Sequence, residues 1–219
     1  TMGATVVQLT ESKKQIQHTH RVFEDQKKAF RNNPMPSLTE RKENLKRLKR
    51  ALLAHQDRLV EAIDRDFSCR SKDESLIAEV MPSIQGINYT LKNLGDWMKP
   101  SKRHVSVLFQ PASNKVYYQP KGVVGVIVPW NYPLYLAVGP LVASLAAGNR
   151  TMIKMSEFTP HTSALFKEII EINRHNLWTI GTIGGGKTWS KQVTERLGTN
   201  TLTYVITQFN GFKPSKTPS

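Results

Sequence analysis

Cysteine is almost missing from this chain: its 219 residues include one, Cys69. A lone thiol excludes an internal disulfide framework and fits a reducing compartment, so the expected location is the cytoplasm. Long hydrophobic runs are missing too. The longest apolar stretch, Leu134 to Ala147, is interrupted by Gly139 and Pro140 and falls short of the ~20 residues that a membrane span needs. The opening TMGATVVQLTESKK has no apolar signal-peptide core, so neither a membrane nor export is expected. Metal-ligand spacing is also lacking. His18 and His20 lie two apart on an expected helix and face different ways, and His55, His104, His161 and His175 form no ligand set.

Acidic residues are scarce, 17 against 31 Lys and Arg, for a formal net charge of +14. The excess is unevenly spread. Residues 1–120 carry 21 basic and 13 acidic side chains, 121–172 carry four and three, and 173–219 carry six and one. The most basic run, RKENLKRLKR (Arg41 to Arg50), is threaded by Leu45 and Leu48, and Leu52, Leu53, Leu59, Val60 and Ile63 continue the helical spacing. Its charges therefore belong to the outer face of an amphipathic helix, and with no aromatic interleaving or nucleic-acid module beside them, no nucleic-acid partner is expected.

The remaining pattern gives an α/β chain. Residues 8–32 read as a helix, and Ser37 with Glu40 forms an S-x-x-E capping box opening a second helix to about Phe67. Glu74 to Met98 is a third, with Pro82 as an expected kink or break. Residues 1–104 thus form a helical region. VSVLF (Val105 to Phe109) and KVYYQP (Lys115 to Pro120) read as a β-hairpin over 105–120. VVGVIVP (Val123 to Pro129) is a buried strand, Tyr132 to Ala147 a helix closed by Gly148-Asn149, and TMIKM (Thr151 to Met155) a second strand. Strand, helix and strand in about thirty residues make a parallel βαβ unit over 121–172, finished by a helix from Pro160 to about Ile172. The last 47 residues hold nine Thr, six Gly and one acid, and 173–219 is expected to be a poorly ordered tail.

KGVVGVIVPWNYPLYLAVGPLVASLAAGNRTMIKMSEFTP, Lys121 to Pro160, resembles the cofactor-binding entry of the aldehyde dehydrogenase superfamily. A Gly-rich strand ends in Pro-Trp-Asn-Tyr-Pro, a helix ends in Ala-Gly-Asn, and a second strand leads to Lys154 and Ser156-Glu157. Residues 18–110 resemble the helical N-terminal part of that family, in particular the branch acting on coniferyl and related aromatic aldehydes. The resemblance implies the start of a Rossmann-like parallel nucleotide-binding sheet, here incomplete, and NAD(P)-dependent oxidation of an aldehyde by what would be a homodimer at full length.

By the same resemblance, the backbone of Val128, Pro129 and Trp130 lines the nicotinamide side of the cleft, while Lys154 and Glu157 hold the adenine ribose. A carboxylate that accepts both ribose hydroxyls favours NAD, and Lys154 leaves NADP possible. Asn131 is the implied catalytic residue, its amide donating to the oxyanion formed when a cysteine thiolate attacks the aldehyde. Taken alone, Asn131 is equally a cap for the helix that follows, and Lys154 and Glu157 are by default surface charges at a strand end.

The family's nucleophilic cysteine and general-base glutamate come after the segment matched, and neither Cys69 nor Glu195 stands in their place. The family pattern ends near Ile172, so 173–219 is expected to be a non-family tail and the chain a truncated or frameshifted family member, inactive by itself. GTIGGGKT (Gly181 to Thr188) satisfies the phosphate-loop pattern G-x-x-x-x-G-K-[ST] and makes Lys187 a candidate phosphate ligand. A phosphate loop needs a good strand before it, a good helix after it and a later acidic Mg²⁺ partner. NLWTI and WSKQVTERLG supply the first two poorly, so the match is expected to be accidental.

Overall fold

The computed structural model describes residues 2–172, 180–183 and 203–205. Helix α1 spans Met2–Asn32. Ser37 then caps α2 as expected: its hydroxyl accepts from the Glu40 amide at 3.2 Å, and the Glu40 carboxylate accepts from the Ser37 amide at 2.7 Å. That backbone bond is the main reason the Glu40 carboxyl lies below the ordinary range.

The long second helix of the sequence reading is in fact two, α2 Leu38–Ala54 and α3 Gln56–Phe67. No Gly or Pro marks the break. His55 makes it, because its Nδ1 lies 2.9 Å from the Ala51 carbonyl oxygen and competes with the backbone for that acceptor. Leu45, Leu48, Leu52, Leu59 and Ile63 are fully buried, whereas Leu53, expected on the same stripe, is 45% exposed. Each fully buried leucine is worth roughly 1.5–3 kcal/mol.

Residues 72–97 continue as one rod: α4 Lys72–Ser75, a π turn at Leu76–Val80, and α5 Met81–Trp97. Pro82 neither ends nor breaks this rod. It stands in the first turn of α5, directly after the wider π turn, where its missing N–H costs little.

The hairpin also differs from expectation. Its strands are β1 Ser101–Arg103 and β2 Asn114–Val116, antiparallel with Ser101 opposite Val116, so the ribbon begins inside the expected helical region. Val107–Phe109 forms a 3₁₀ turn, with Val107 83% and Leu108 89% exposed. The β-prone composition of VSVLF did not make a strand because it has no core to face.

Strand β3 Val123–Ile127, helix α6 Pro133–Ala146 and strand β4 Arg150–Lys154 form the expected parallel unit, and α7 Pro160–Ile172 follows. Two strands from the expected tail complete it. β5 Ile180–Ile183 pairs with β4 and β6 Thr203–Val205 pairs with β3, giving a four-stranded parallel sheet in the order β5-β4-β3-β6. Both α1 and α6 pack on β3 and β4, and four consecutive residues of each strand are buried. Such burial needs cover on both faces.

The Ala-Gly-Asn turn after α6 is structural. Gly148 has φ +83°, and a Cβ there would meet the Arg41 guanidinium at 2.7 Å. Arg41 is buried and closes the helix by donating to the Ala146 carbonyl at 3.0 Å. Asn149 accepts from the Lys121 and Gly122 amides at 2.6 and 3.1 Å, which pins the start of β3. Gly148→Ala should therefore destabilise the fold by about 1–3 kcal/mol. Gly139→Ala is the control, since nothing lies within 4 Å of its Cβ. That change should be neutral or stabilise by up to about 1 kcal/mol. Denaturant titration of both variants checks the pair, and equal effects would contradict the assignment.

Candidate functional site

Chain connectivity locates the site. From β3 the chain moves outward through β4 to β5, then returns to the other side of β3 as β6. An open parallel sheet has its ligand crevice where the strand order reverses, outside the carboxyl ends of the strands. That place is the end of β3, occupied by Val128 to Asn131.

Val128 is buried, and its amide extends the ladder by donating to the Lys154 carbonyl at 2.9 Å. Pro129 and Asn131 are half-buried and Trp130 is 55% exposed. The Trp130 ring centroid lies 6.5 Å from that of Phe67. On β4, Lys154 is buried and its Nζ lies 2.5 Å from Oε2 of the partly exposed Glu157. The structure thus brings all six expected residues to the carboxyl ends of two adjacent parallel strands, Val128 to Asn131 following β3, Lys154 ending β4 and Glu157 three residues past it. A buried ammonium held by a half-exposed carboxylate is a donor and acceptor set suited to vicinal hydroxyls, which fits a nucleotide ribose.

Asn131 is not the helix cap. The N-cap of α6 is Tyr132, which makes no side-chain capping bond. Among the described residues the hydrogen bond of Asn131 is through its backbone carbonyl, leaving the amide of its side chain without a structural task.

The sequence model of the aldehyde dehydrogenase family matches residues 3–203. The chain belongs to the aldehyde dehydrogenase family. It is 53% identical over 169 residues to a probable coniferyl aldehyde dehydrogenase of Pseudomonas aeruginosa, covering 77% of this chain and 36% of that protein. A coniferyl aldehyde dehydrogenase of a Pseudomonas species is 43% identical over 129 residues, 58% of this chain and 26% of that one. Among solved structures, the substrate-bound state of Staphylococcus aureus AldH superposes with a TM-score of 0.75 at 28% identity, covering 80% of this chain and 38% of the other. The succinic semialdehyde dehydrogenase of Streptococcus pyogenes in complex with NADP+ gives 0.72 at 18% identity over 85% of this chain and 39% of the other, a likeness of fold alone. The chain spans about a third of the length of these relatives. The family match runs to residue 203, past Ile172, where the family pattern was expected to end, so residues 173–203 are not outside the family as expected.

The dehydrogenase fold places two further residues at the site that sequence reasoning did not single out, Arg70 and Glu79. Arg70 Nη2 donates to the Asn131 carbonyl at 2.9 Å, and Nη1 donates to Glu79 at 2.9 Å. Glu79 is fully buried, and its other carboxylate oxygen accepts from the Leu134 and Tyr135 amides at 2.7 and 3.2 Å. Those are orphan donors at the start of α6, where the helix dipole also favours a negative charge. Burial nevertheless dominates and pushes the Glu79 carboxyl above the ordinary range, against the pull of the Tyr135 and Leu134 amides and Arg70.

Cys69, next to Arg70, is exposed. Gly181, Thr182 and Ile183 of the phosphate-loop match lie within β5, while Gly184 to Thr188, with Lys187, falls outside the described residues. No group of residues suited to a metal ion occurs among the described residues, and no helix there is long and apolar enough to cross a membrane.

Proposed function

We propose that this chain forms the dinucleotide-binding entry of an NAD(P)-dependent aldehyde dehydrogenase that oxidises an aromatic, coniferyl-like aldehyde to its acid. The observation that carries the reading is the placement of Asn131 at the switch point of the sheet, with Lys154 and Glu157 at the end of the adjacent strand. Similarity to two coniferyl aldehyde dehydrogenases supports the aromatic substrate.

Backbone from Val128 to Trp130 would line the nicotinamide side, and Lys154 with Glu157 would hold the ribose hydroxyls. NAD(P), when bound, supplies the hydride acceptor. Asn131 donates its side-chain N–H to the aldehyde oxygen as that oxygen gains negative charge, a role worth ~3–4 kcal/mol of barrier. The same reading implies a homodimer at full length, with no nucleic acid or membrane as partner.

Activity tests use the full-length form, meaning this chain continued through the rest of the family's length, from its own gene or from the Pseudomonas aeruginosa relative. There Glu157→Gln removes a charge-assisted acceptor. It should raise KM for NAD by about tenfold and narrow the discrimination against NADP, with kcat nearly kept. Steady-state kinetics with both cofactors decide it. A loss confined to kcat would mean that Glu157 does not hold the ribose.

A further inference from the structure

We infer that Arg70, held by Glu79, is a positioning residue that sets the direction of the Asn131 amide. This rests on the oxyanion role proposed for Asn131. Between the Val128 amide, fixed to β4, and the Leu134 and Tyr135 amides, fixed to Glu79, the chain crosses the switch point. Within that span, Arg70 bonds the peptide carbonyl of Asn131 itself.

The guanidinium is held from several sides. Its Cζ lies 3.9 Å from the ring centroid of Phe67 and 4.9 Å from that of Tyr132. Nη1 is tied to Glu79, and Nε lies 3.5 Å from Glu74. Only 11% of the Arg70 side chain is exposed, so the bond to Asn131 is shielded from competing water. A planar fork can serve Glu79 and the Asn131 carbonyl at once, whereas a lysine ammonium on a flexible stem cannot hold that geometry.

The π turn contributes to the same arrangement. An extra residue per turn at Leu76–Val80 rotates Glu79 toward α6, and its carbonyl is taken by the Ser83 hydroxyl at 2.6 Å. One connected unit therefore fixes both the helix start and the peptide whose side chain must meet the oxyanion. Shifting that peptide by about 1 Å is enough to cost ~10²-fold in rate.

A double-mutant cycle in the full-length form tests this. Arg70→Met should lower kcat ~10–100-fold with KM for NAD within about twofold, and in an Asn131→Ala background the same change should cost less than about threefold. Equal losses in both backgrounds would show that Arg70 acts only through the fold, and would overturn the inference while leaving the proposed function standing. If Asn131→Ala alone leaves kcat unchanged, both fall. A second measurement uses the milder Arg70→Lys in the chain labelled with ¹⁵N-asparagine, the Asn131 side-chain NH₂ pair being assigned by its loss in Asn131→Ala. That pair should shift or broaden in Arg70→Lys, and an unchanged pair would overturn the inference even if Arg70→Met fails to fold.

Discussion

Asn131→Ala in the full-length form is expected to lower kcat for aldehyde oxidation by ~10²–10³-fold while KM for NAD stays within about twofold. The expectation follows from what Asn131 does not do in the fold. Tyr132 is the N-cap of α6, Glu79 takes the amides at the start of that helix, and the Asn131 carbonyl belongs to Arg70. Removing the Asn131 amide should therefore cost little stability and should act on the transition state alone. Thermal melts and steady-state kinetics on the same preparation separate the two. A variant that melts well below the parent, or that loses cofactor affinity with kcat kept, would show that Asn131 is structural or belongs to the cofactor site.

How much of this was legible depends on how local each signal is. The parallel βαβ unit could be read because β3 and β4 are nearly continuous apolar runs and Gly148 closes the helix between them. The places of Val128, Pro129, Trp130, Asn131 and Lys154 at or just past strand ends could be read with it, whereas their roles rested on the family resemblance alone. β5 and β6 were missed because IGTI and TYV have too little alternation to declare themselves, and their strand character comes from lying beside β4 and β3. The break at His55 has no Gly or Pro behind it, only a side chain competing for a carbonyl. Arg70 and Glu79 were illegible for a different reason. Their partners are 55 to 61 residues away in sequence, and nothing in DRDFSCRSKDES shows that Arg70 rather than Arg65 reaches the loop after β3.

The largest loss of stability is expected from Glu79→Ala, at about 3–5 kcal/mol, because it leaves a nearly buried guanidinium and two helix-start amides without their acceptor. Glu79→Gln keeps a carbonyl for the amides and should cost less than half as much. The pair of variants also reveals the balance within the clamp. Burial holds the folded-state pKa of Glu79 above its unfolded value, so the folded chain keeps a proton that the unfolded chain has already lost. By linkage, the contribution of Glu79 is fully present below the unfolded pKa and is lost as pH rises through the folded one. Glutamine cannot titrate. The stability advantage of the parent over Glu79→Gln should therefore shrink as pH rises above about 4.5. Glu40 and Glu168, whose carboxyls lie below the ordinary range through Ser37 and Arg58, are unchanged in both proteins and cancel in the difference. Urea titrations of parent and variants at three pH values measure it. A gap that widens with pH would mean that Arg70 and the two amides outweigh burial, so that the ionised clamp is favourable to the fold in its own right.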